Sequence, residues 1–179
     1  MTVSFTIPTI ETERLVLRAP EEADYAAWLA FNETERTAFV GGRVPRNTVW
    51  RGLASHLGHW ALRGYGMWAV DLKETGEFCG NVGPWFPEGW PEPEIGWTVM
   101  SNAEGKGIAR EAALASRAYA YETLGWTTAI SLIDPQNTRS IALAKRIGAW
   151  WDSDFEHDEY GTMGVWRHPG PDTLEERGT

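Results

Sequence analysis

The spacing of hydrophobic residues in the first part of the chain predicts a strand followed by two helices. Apolar and charged side chains alternate over 14–18, which predicts the strand, and the acidic residues after Pro20 predict a helix that ends at about Asn32. A second helix is expected over about 48–62, because apolar residues recur there every three or four positions before Gly64.

Three extended segments come next. They are predicted at 67–72, 77–86 and 94–100, because apolar residues alternate along each segment. A short turn containing Gly76 separates the first two, and a longer stretch rich in Pro, Gly and Trp separates the second from the third. The pattern therefore predicts an antiparallel meander.

A largely buried helix is predicted after the meander, because its apolar residues form one broad stripe. The members of this stripe are Ile108, Ala112, Ala115 and Tyr119, widened by Leu114, Ala118, Tyr121 and Leu124. A strand over about 127–133 follows the helix. Because a helix lies between them, this strand can return parallel to the strand over 94–100.

The last part of the chain predicts a helix and a hairpin. Asn137 is placed to cap a short helix that ends at about Ile147, and segments 150–157 and 162–168 have the pattern of paired strands. Residues 169–179 are rich in Pro, Gly and charge, so we expect them to be frayed. We find no repeat or linker that would divide the chain, and a single domain over residues 1–179 is expected.

Composition narrows the possible partners. The 179 residues carry a net charge of −9, with a pI near 4.9, which argues against binding to nucleic acid or to an anionic membrane and favours a basic or amine-bearing partner. Cys79 is the only cysteine, so the chain has no disulfide, and we expect a buried structural thiol. The N-terminus lacks a signal-peptide pattern and no apolar run is long enough to span a membrane, so a cytoplasmic location is expected.

A glycine pair supplies the first candidate chemistry. Gly105 and Gly107 stand directly before the helix that starts near Ile108, after an extended apolar segment. Glycine permits turn conformations and close backbone approach, and the free amides at a helix start suit an anion. The sequence therefore predicts a phosphate cradle over residues 105–110.

Two common phosphate-binding motifs fit this loop poorly. A Walker A loop needs four residues between its glycines and then Lys and Ser or Thr, which Gly105 and Gly107 do not provide. A dinucleotide fingerprint would place a third glycine at Arg110 and would begin with a strand–helix–strand unit rather than a meander. A nucleotide-binding oxidoreductase therefore remains only a rival interpretation.

Four segments together resemble the GNAT superfamily of acyl-CoA-dependent N-acetyltransferases, and within it the RimJ/RimL-like branch of ribosomal-protein alanine acetyltransferases. They are Glu11-Thr12-Glu13-Arg14-Leu15-Val16-Leu17-Arg18, Glu94-Ile95-Gly96-Trp97-Thr98-Val99, Gly105-Lys106-Gly107-Ile108-Ala109 with Glu111-Ala112, and Asp134-Pro135-Gln136-Asn137-Thr138-Arg139-Ser140-Ile141-Ala142. The resemblance implies an α+β fold, with a mostly antiparallel sheet of about seven strands, about four flanking helices and a splayed parallel pair in the middle.

The same resemblance implies an acetyl-CoA site. The pantetheine arm is expected beside Thr98 and Val99, the pyrophosphate on the loop, and a further contact at Asn137. The loop residues implied are Gly105, Lys106, Gly107, Ile108, Ala109 and Arg110. The chain departs from the usual superfamily loop at Asn102, at Glu104, where an aromatic residue is frequent, and at Arg110. Glu104 is expected to oppose a phosphate, and Lys106 could equally be a solvated loop side chain.

The implied reaction is acetyl transfer to a primary amine, either a protein N-terminus or a small molecule. Glu94 is the candidate base, because it begins the central strand and shares a face with Gly96 and Thr98; Glu92 is a weaker competitor. Ser140 is the candidate donor to the thiolate, because no Tyr follows the second CoA motif. Ordinary structural roles for these side chains, and a non-catalytic acyl-CoA-binding or scaffold module, stay open.

Aromatic residues predict the acceptor side. They lie on the second helix and on the loop after the third strand, where they could form a wall for an amine, although core packing explains them equally. These residues are Trp50, Trp60, Trp85, Phe86 and Trp90. His56 and His59 lack further ligands, so we expect no metal site. A monomer or a homodimer is expected.

Overall fold

The computed structural model describes residues 4–177 and contains a single mixed sheet of eight strands. The strands are β1 Ile10–Glu11, β2 Leu15–Arg18, β3 Trp68–Leu72, β4 Glu77–Trp85, β5 Glu94–Val99, β6 Ile130–Ile133, β7 Trp150–His157 and β8 Gly161–Arg167. Their order in the sheet is β1-β2-β3-β4-β5-β6-β8-β7. Only β5 and β6 pair in parallel, and every other neighbouring pair is antiparallel.

Five α-helices and three short 3₁₀ turns complete the described part of the fold. The helices are α1 Tyr25–Asn32, α2 Arg46–Arg63, α3 Ile108–Glu122, α4 Thr138–Arg146 and α5 Pro171–Arg177, and the 3₁₀ turns are Glu22–Asp24, Glu35–Phe39 and Ser101–Ala103. The α+β fold with one parallel pair confirms the prediction. Within residues 4–177 the sheet has eight strands, against the expected number of about seven, because β1 adds a two-residue strand.

The helices cover both faces of the sheet. On one face, the α1 residue Trp28 donates a hydrogen bond to Asn81 of β4 at 3.1 Å. On the other face, Trp97 of β5 reaches Ser140 of α4 at 3.1 Å. Asn81 pairs with Thr98, the neighbour of Trp97, so the two bonds leave opposite sides of the sheet. The centre of β5 is thus packed from both sides.

Strands β5 and β6 part almost as soon as they meet. Their register contains one pair, Glu94 with Ile130. In a regular parallel ladder the next bond would join the Leu132 amide to the Ile95 carbonyl. Instead the Leu132 amide donates to Glu94 Oε2 at 2.8 Å, and the Ile95 carbonyl accepts from Ser131 Oγ at 2.7 Å. Two side chains therefore replace a ladder bond and hold the strands apart.

A buried polar chain fixes the Ser131 side of this opening. His168 Nε2 lies 2.9 Å from Ser131 Oγ, and His168 Nδ1 lies 3.3 Å from Arg117 Nη1, which also donates to the Ile147 carbonyl. Since Ser131 donates its proton to the Ile95 carbonyl, it must accept from His168, which is therefore the neutral Nε2–H tautomer. Burial, with Arg117 and Arg167 nearby, lowers the pKa of His168 to about 3.

Three local expectations differ from the structure. Residues 169–179 were expected to be frayed; residues 178 and 179 lie outside the described part of the chain, but Pro169 is buried, its carbonyl accepts from the Tyr121 hydroxyl at 2.9 Å, and Pro171–Arg177 forms α5. Ala118 was expected inside the apolar stripe of α3, but it is exposed, while Arg117 is buried. Strand β6 begins at Ile130 rather than near 127. Cys79 is buried, as predicted, and burial raises the pKa of its thiol.

Candidate active site

A cleft of about 800 Å³ opens where β5 and β6 diverge. Its walls come from β5, the glycine loop, the start of α3, the start of α4 and the 3₁₀ turn Glu35–Phe39. Predicted cofactor residues that line it are Thr98, Val99, Gly105, Gly107, Ile108, Ala109, Arg110 and Asn137. The structure therefore gathers nearly the whole predicted set around one cavity. Lys106 is the exception, since its side chain is exposed and does not line the cleft.

The glycine loop has the conformation that its glycines allow. Gly105 and Gly107 adopt φ angles of 72° and 76°, in the left-handed region that other residues avoid. The first bond of α3 joins the Glu111 amide to the Gly107 carbonyl at 3.1 Å. The amides of residues 108–110 precede that bond, so they have no partner within the helix and remain available to an anion.

Two residues far away in sequence anchor the loop from outside the cleft. Arg14 Nη1 donates to the Lys106 carbonyl at 2.9 Å, and Arg14 Nε pairs with Glu111 Oε2 at 2.7 Å. The hydroxyl of Thr12 donates to Glu111 Oε1 at 2.6 Å. These bonds tie the segment before β2 to the first turn of α3. Sequence reasoning missed this anchor, because the two segments lie about a hundred positions apart and share no local pattern.

Every second residue of β5 points its backbone amide and carbonyl toward the cleft. Thr98 pairs with Asn81 of β4, and the Met100 amide donates to the Cys79 carbonyl, so the even-numbered residues bond to β4. The amides and carbonyls of Trp97 and Val99 consequently point to the β6 side, beyond the one pair that β5 and β6 form. Within residues 4–177, these two amides have no strand partner. An extended amide-containing ligand could pair with them.

Ser140 lies in the cleft wall with its hydroxyl proton available. Its amide donates to Asn137 Oδ1 at 3.2 Å, which confirms Asn137 as the N-cap of α4. Its Oγ accepts the indole N–H of Trp97 at 3.1 Å. Because that bond uses a lone pair, the O–H remains free to donate into the cleft. Trp97 was not singled out from the sequence, since a tryptophan on a strand carries no local mark of such a bond.

Glu94 lies at the apex of the opening rather than in the cleft lining. It is only 6% exposed, and burial raises its pKa to about 7, although the Leu132 amide bonded to it acts in the opposite direction. Its side chain leaves β5 on the face opposite Trp97, on the side covered by α1 and α2. A carboxyl with a pKa near neutrality can exchange a proton under ordinary conditions. Glu94 is therefore chemically suited to act as a base.

The competing carboxyl, that of Glu92, is held in an ion pair with an arginine. Arg167 binds it through two contacts, at 2.6 and 2.7 Å, and also reaches Asp152 at 2.9 Å. The bond from Arg167 is the main cause that lowers the pKa of Glu92. A carboxylate held in this way is a poor proton acceptor, which leaves Glu94 as the better candidate.

Aromatic rings gather on the α1 and α2 side of the sheet. His59 stacks on Trp85 with 4.3 Å between ring centroids, and His56 lies edge-on to both Trp28 and Trp85. Of the five residues expected in the aromatic wall, Trp85 belongs to this group. Trp60, by contrast, is 2% exposed and belongs to the core. The remaining members of the predicted wall are Trp50, which is exposed, Trp90, which lies near His157 and Tyr160, and Phe86, whose ring faces Arg63.

Neither histidine of α2 is arranged as a metal ligand. His59 Nδ1 lies 2.7 Å from the Tyr65 carbonyl, and its Nε2 accepts the Phe86 amide at 3.0 Å. Burial lowers the pKa of His56 to about 4. Over the described residues, no three His, Cys, Asp or Glu side chains are grouped to hold a metal, and no helix there has the length and apolar character needed to cross a bilayer.

Known proteins resemble this chain in both sequence and architecture. Residues 14–149 match the acetyltransferase (GNAT) domain family. YkkB, an uncharacterized protein of Bacillus subtilis, is 32% identical over 146 residues, which cover 76% of this chain and 82% of YkkB. An acetyltransferase from Agrobacterium tumefaciens has a crystal structure that superimposes with a TM-score of 0.83 at 38% identity, and the match covers 94% of this chain and 98% of that one.

More distant structures share the fold. RimL, a ribosomal L7/L12 alpha-N-protein acetyltransferase, superimposes with a TM-score of 0.75 at 14% identity, covering 90% of this chain and 94% of RimL. A second RimL structure contains coenzyme A and matches with a TM-score of 0.70 at 16% identity, covering 90% of this chain and 98% of that one. From its sequence match over residues 14–149, the chain belongs to the GNAT acetyltransferase family.

Proposed function

We propose that the protein is an N-acetyltransferase that moves an acetyl group from acetyl-CoA to a primary amine by direct attack in a ternary complex. The observation that carries this proposal is the cleft between β5 and β6, in which an anion cradle and unpaired strand amides lie along one path. Acetyl-CoA has a diphosphate and an amide-containing arm, and each matches one of these two features. The RimL structure with coenzyme A has the same fold.

The two ends of the ligand would be held differently. The amides of residues 108–110 would bind the diphosphate at the start of α3. The Val99 and Trp97 backbone groups would pair with the pantetheine arm as an added strand does. A strand amide near Val99 is also the nearest candidate to stabilise the oxyanion that forms at the thioester carbonyl.

Proton transfer falls to side chains on opposite faces of β5. The attacking amine must be neutral, and an alkylammonium has a pKa near ~10, so a base is needed. Glu94, with a pKa of about 7, would take that proton from the side covered by α1 and α2. Ser140 would donate a hydrogen bond to the CoA thiolate as it leaves, with Trp97 fixing the direction of the hydroxyl.

The acceptor we propose is a cationic amine. The chain carries a net charge of −9, which would attract a positively charged acceptor, and aromatic rings lie on the same side of the sheet as Glu94. RimL acts on a ribosomal protein. Peptide N-termini with basic residues and polyamines are therefore the first acceptors to test.

Thiol release from acetyl-CoA tests the proposed activity. We expect release to depend on an added amine in a panel of basic peptides, polyamines, amino acids and aminoglycosides. Gly107→Val should abolish release, because valine resists a φ of 76° and its side chain would lie against Arg14, which anchors the loop. Gly76→Val, at a φ of 69° in the turn between β3 and β4, is the matched control. CoA binding without release for any amine would instead favour a non-catalytic CoA-binding module.

Glu94→Gln should remove the rising limb from the pH profile of kcat/KM. In the unaltered protein, kcat/KM should rise with pH through about 7, because the carboxyl must lose its own proton before it can accept another. Glutamine still accepts the Leu132 amide, so the strands stay apart while the base is lost. We expect kcat/KM to fall by about a hundredfold and the limb near 7 to disappear. If the variant keeps that limb, another group is the base.

Ser140→Ala should slow turnover more than it weakens binding. Asn137 still caps α4 through the backbone amide, so the helix should be retained. We expect kcat to fall by about tenfold or more while the Kd for CoA stays close to that of the unaltered protein. Ser153→Ala, in the exposed part of β7, is the control. Unchanged turnover in Ser140→Ala would mean that water or another group assists the thiolate.

A further inference from the structure

Three charged side chains in the lining of the cleft are joined by ion pairs. Glu104, directly before Gly105, pairs through Oε2 with Arg36 Nη1 and through Oε1 with Arg139 Nη1 at 2.8 Å. The second terminal nitrogen of Arg36 donates to the Val99 carbonyl at 2.9 Å. One carboxylate thus links the 3₁₀ turn Glu35–Phe39 to the start of α4, directly before the glycine loop.

The position of Glu104 is that of an anion between two arginines. A carboxylate and a phosphate present oxygens to guanidinium groups in the same way, so each can replace the other between Arg36 and Arg139. All three residues line the cleft beside Gly105 and Gly107. Without a ligand, Glu104 pairs with both arginines and balances one of their two positive charges; with a ligand, its own charge would repel the incoming phosphate.

Arg36 also occupies a group that the proposed ligand needs. Its bond to the Val99 carbonyl covers one of the backbone groups that point from β5 into the cleft. Its Nε is buried and, among the described residues, has no hydrogen-bond partner. The guanidinium is therefore only partly satisfied where it lies, and a further acceptor at this point would improve its bonding.

We propose that Glu104 is an internal substitute for phosphate, and that the diphosphate of CoA displaces it and takes over Arg36 and Arg139. This inference rests on the proposed acetyl-CoA site. Movement of Arg36 toward the diphosphate frees the Val99 carbonyl for the pantetheine arm, so binding at one end of the ligand prepares the other end. Glu104 lowers the affinity for CoA and so favours release of the product.

Affinity measured by calorimetry tests this role. Glu104→Gln should bind CoA about fivefold more tightly at low salt, because it removes the repulsion and frees both arginines, and the difference should shrink as salt is added. Glu122→Gln changes the net charge equally at the exposed far end of α3 and should leave the Kd unchanged. Equal or weaker binding of CoA by Glu104→Gln would overturn the inference.

Arginine variants test whether Glu104 acts through its partners. Arg139→Ala, at a side chain that is 71% exposed, should weaken CoA binding by about tenfold without unfolding the protein. The gain from Glu104→Gln should be smaller in this background, as expected for residues that interact directly. An undiminished gain would contradict displacement from Arg139.

Binding of dephospho-CoA shows whether Glu104 competes with the diphosphate or with the 3′-phosphate of the ligand. Dephospho-CoA lacks the 3′-phosphate but keeps the diphosphate, so Glu104→Gln should tighten its binding by the same factor. A gain confined to CoA would place the competing group at the 3′-phosphate and overturn the assignment to the diphosphate. If the unaltered protein binds no CoA, the proposed function and this inference both fail. If it binds CoA and Glu104→Gln changes nothing, this inference alone fails.

Discussion

The exchange of one ladder bond for two side-chain bonds determines the rest of the cleft. If the Leu132 amide bonded to the Ile95 carbonyl, β5 and β6 would continue as a closed sheet, and the groups of Trp97 and Val99 would be used within it. Glu94 and Ser131 take those two partners instead. A hydrogen bond contributes about 1 kcal/mol net, so replacing it with others costs little while it opens a binding path.

The opening depends on a buried hydrogen-bond chain in which the hydroxyl of Ser131 both donates and accepts. Ser131 is held by His168, which is in turn held by Arg117, and all three are buried. On the other strand, the carboxyl of Glu94 accepts the Leu132 amide and also has the raised pKa for which we propose it as the base. The proposed site of proton transfer therefore coincides with the point where the strands separate.

Local chemistry explains what the sequence could predict. Gly105 and Gly107 predicted a phosphate cradle, and Asn137 predicted a helix N-cap, because glycine and Asn perform those tasks within a few residues of their own position. The Arg14–Glu111 anchor and the Trp97–Ser140 bond were missed, since each joins segments that are distant in the chain. The same holds for Arg36, whose 3₁₀ turn lies between the first two predicted helices, where the sequence predicted no element.

Amide hydrogen exchange on Trp97 and Val99, measured with and without CoA, shows whether the gap between β5 and β6 holds the pantetheine arm. Both amides point into the gap and lack a strand partner among the described residues, so they should exchange fast in the free protein, compared with the β4-paired amide of Thr98. We expect CoA to protect the amide of Val99 or Trp97, along with those of residues 108–110. Binding of CoA that protects neither β5 amide would contradict this expectation.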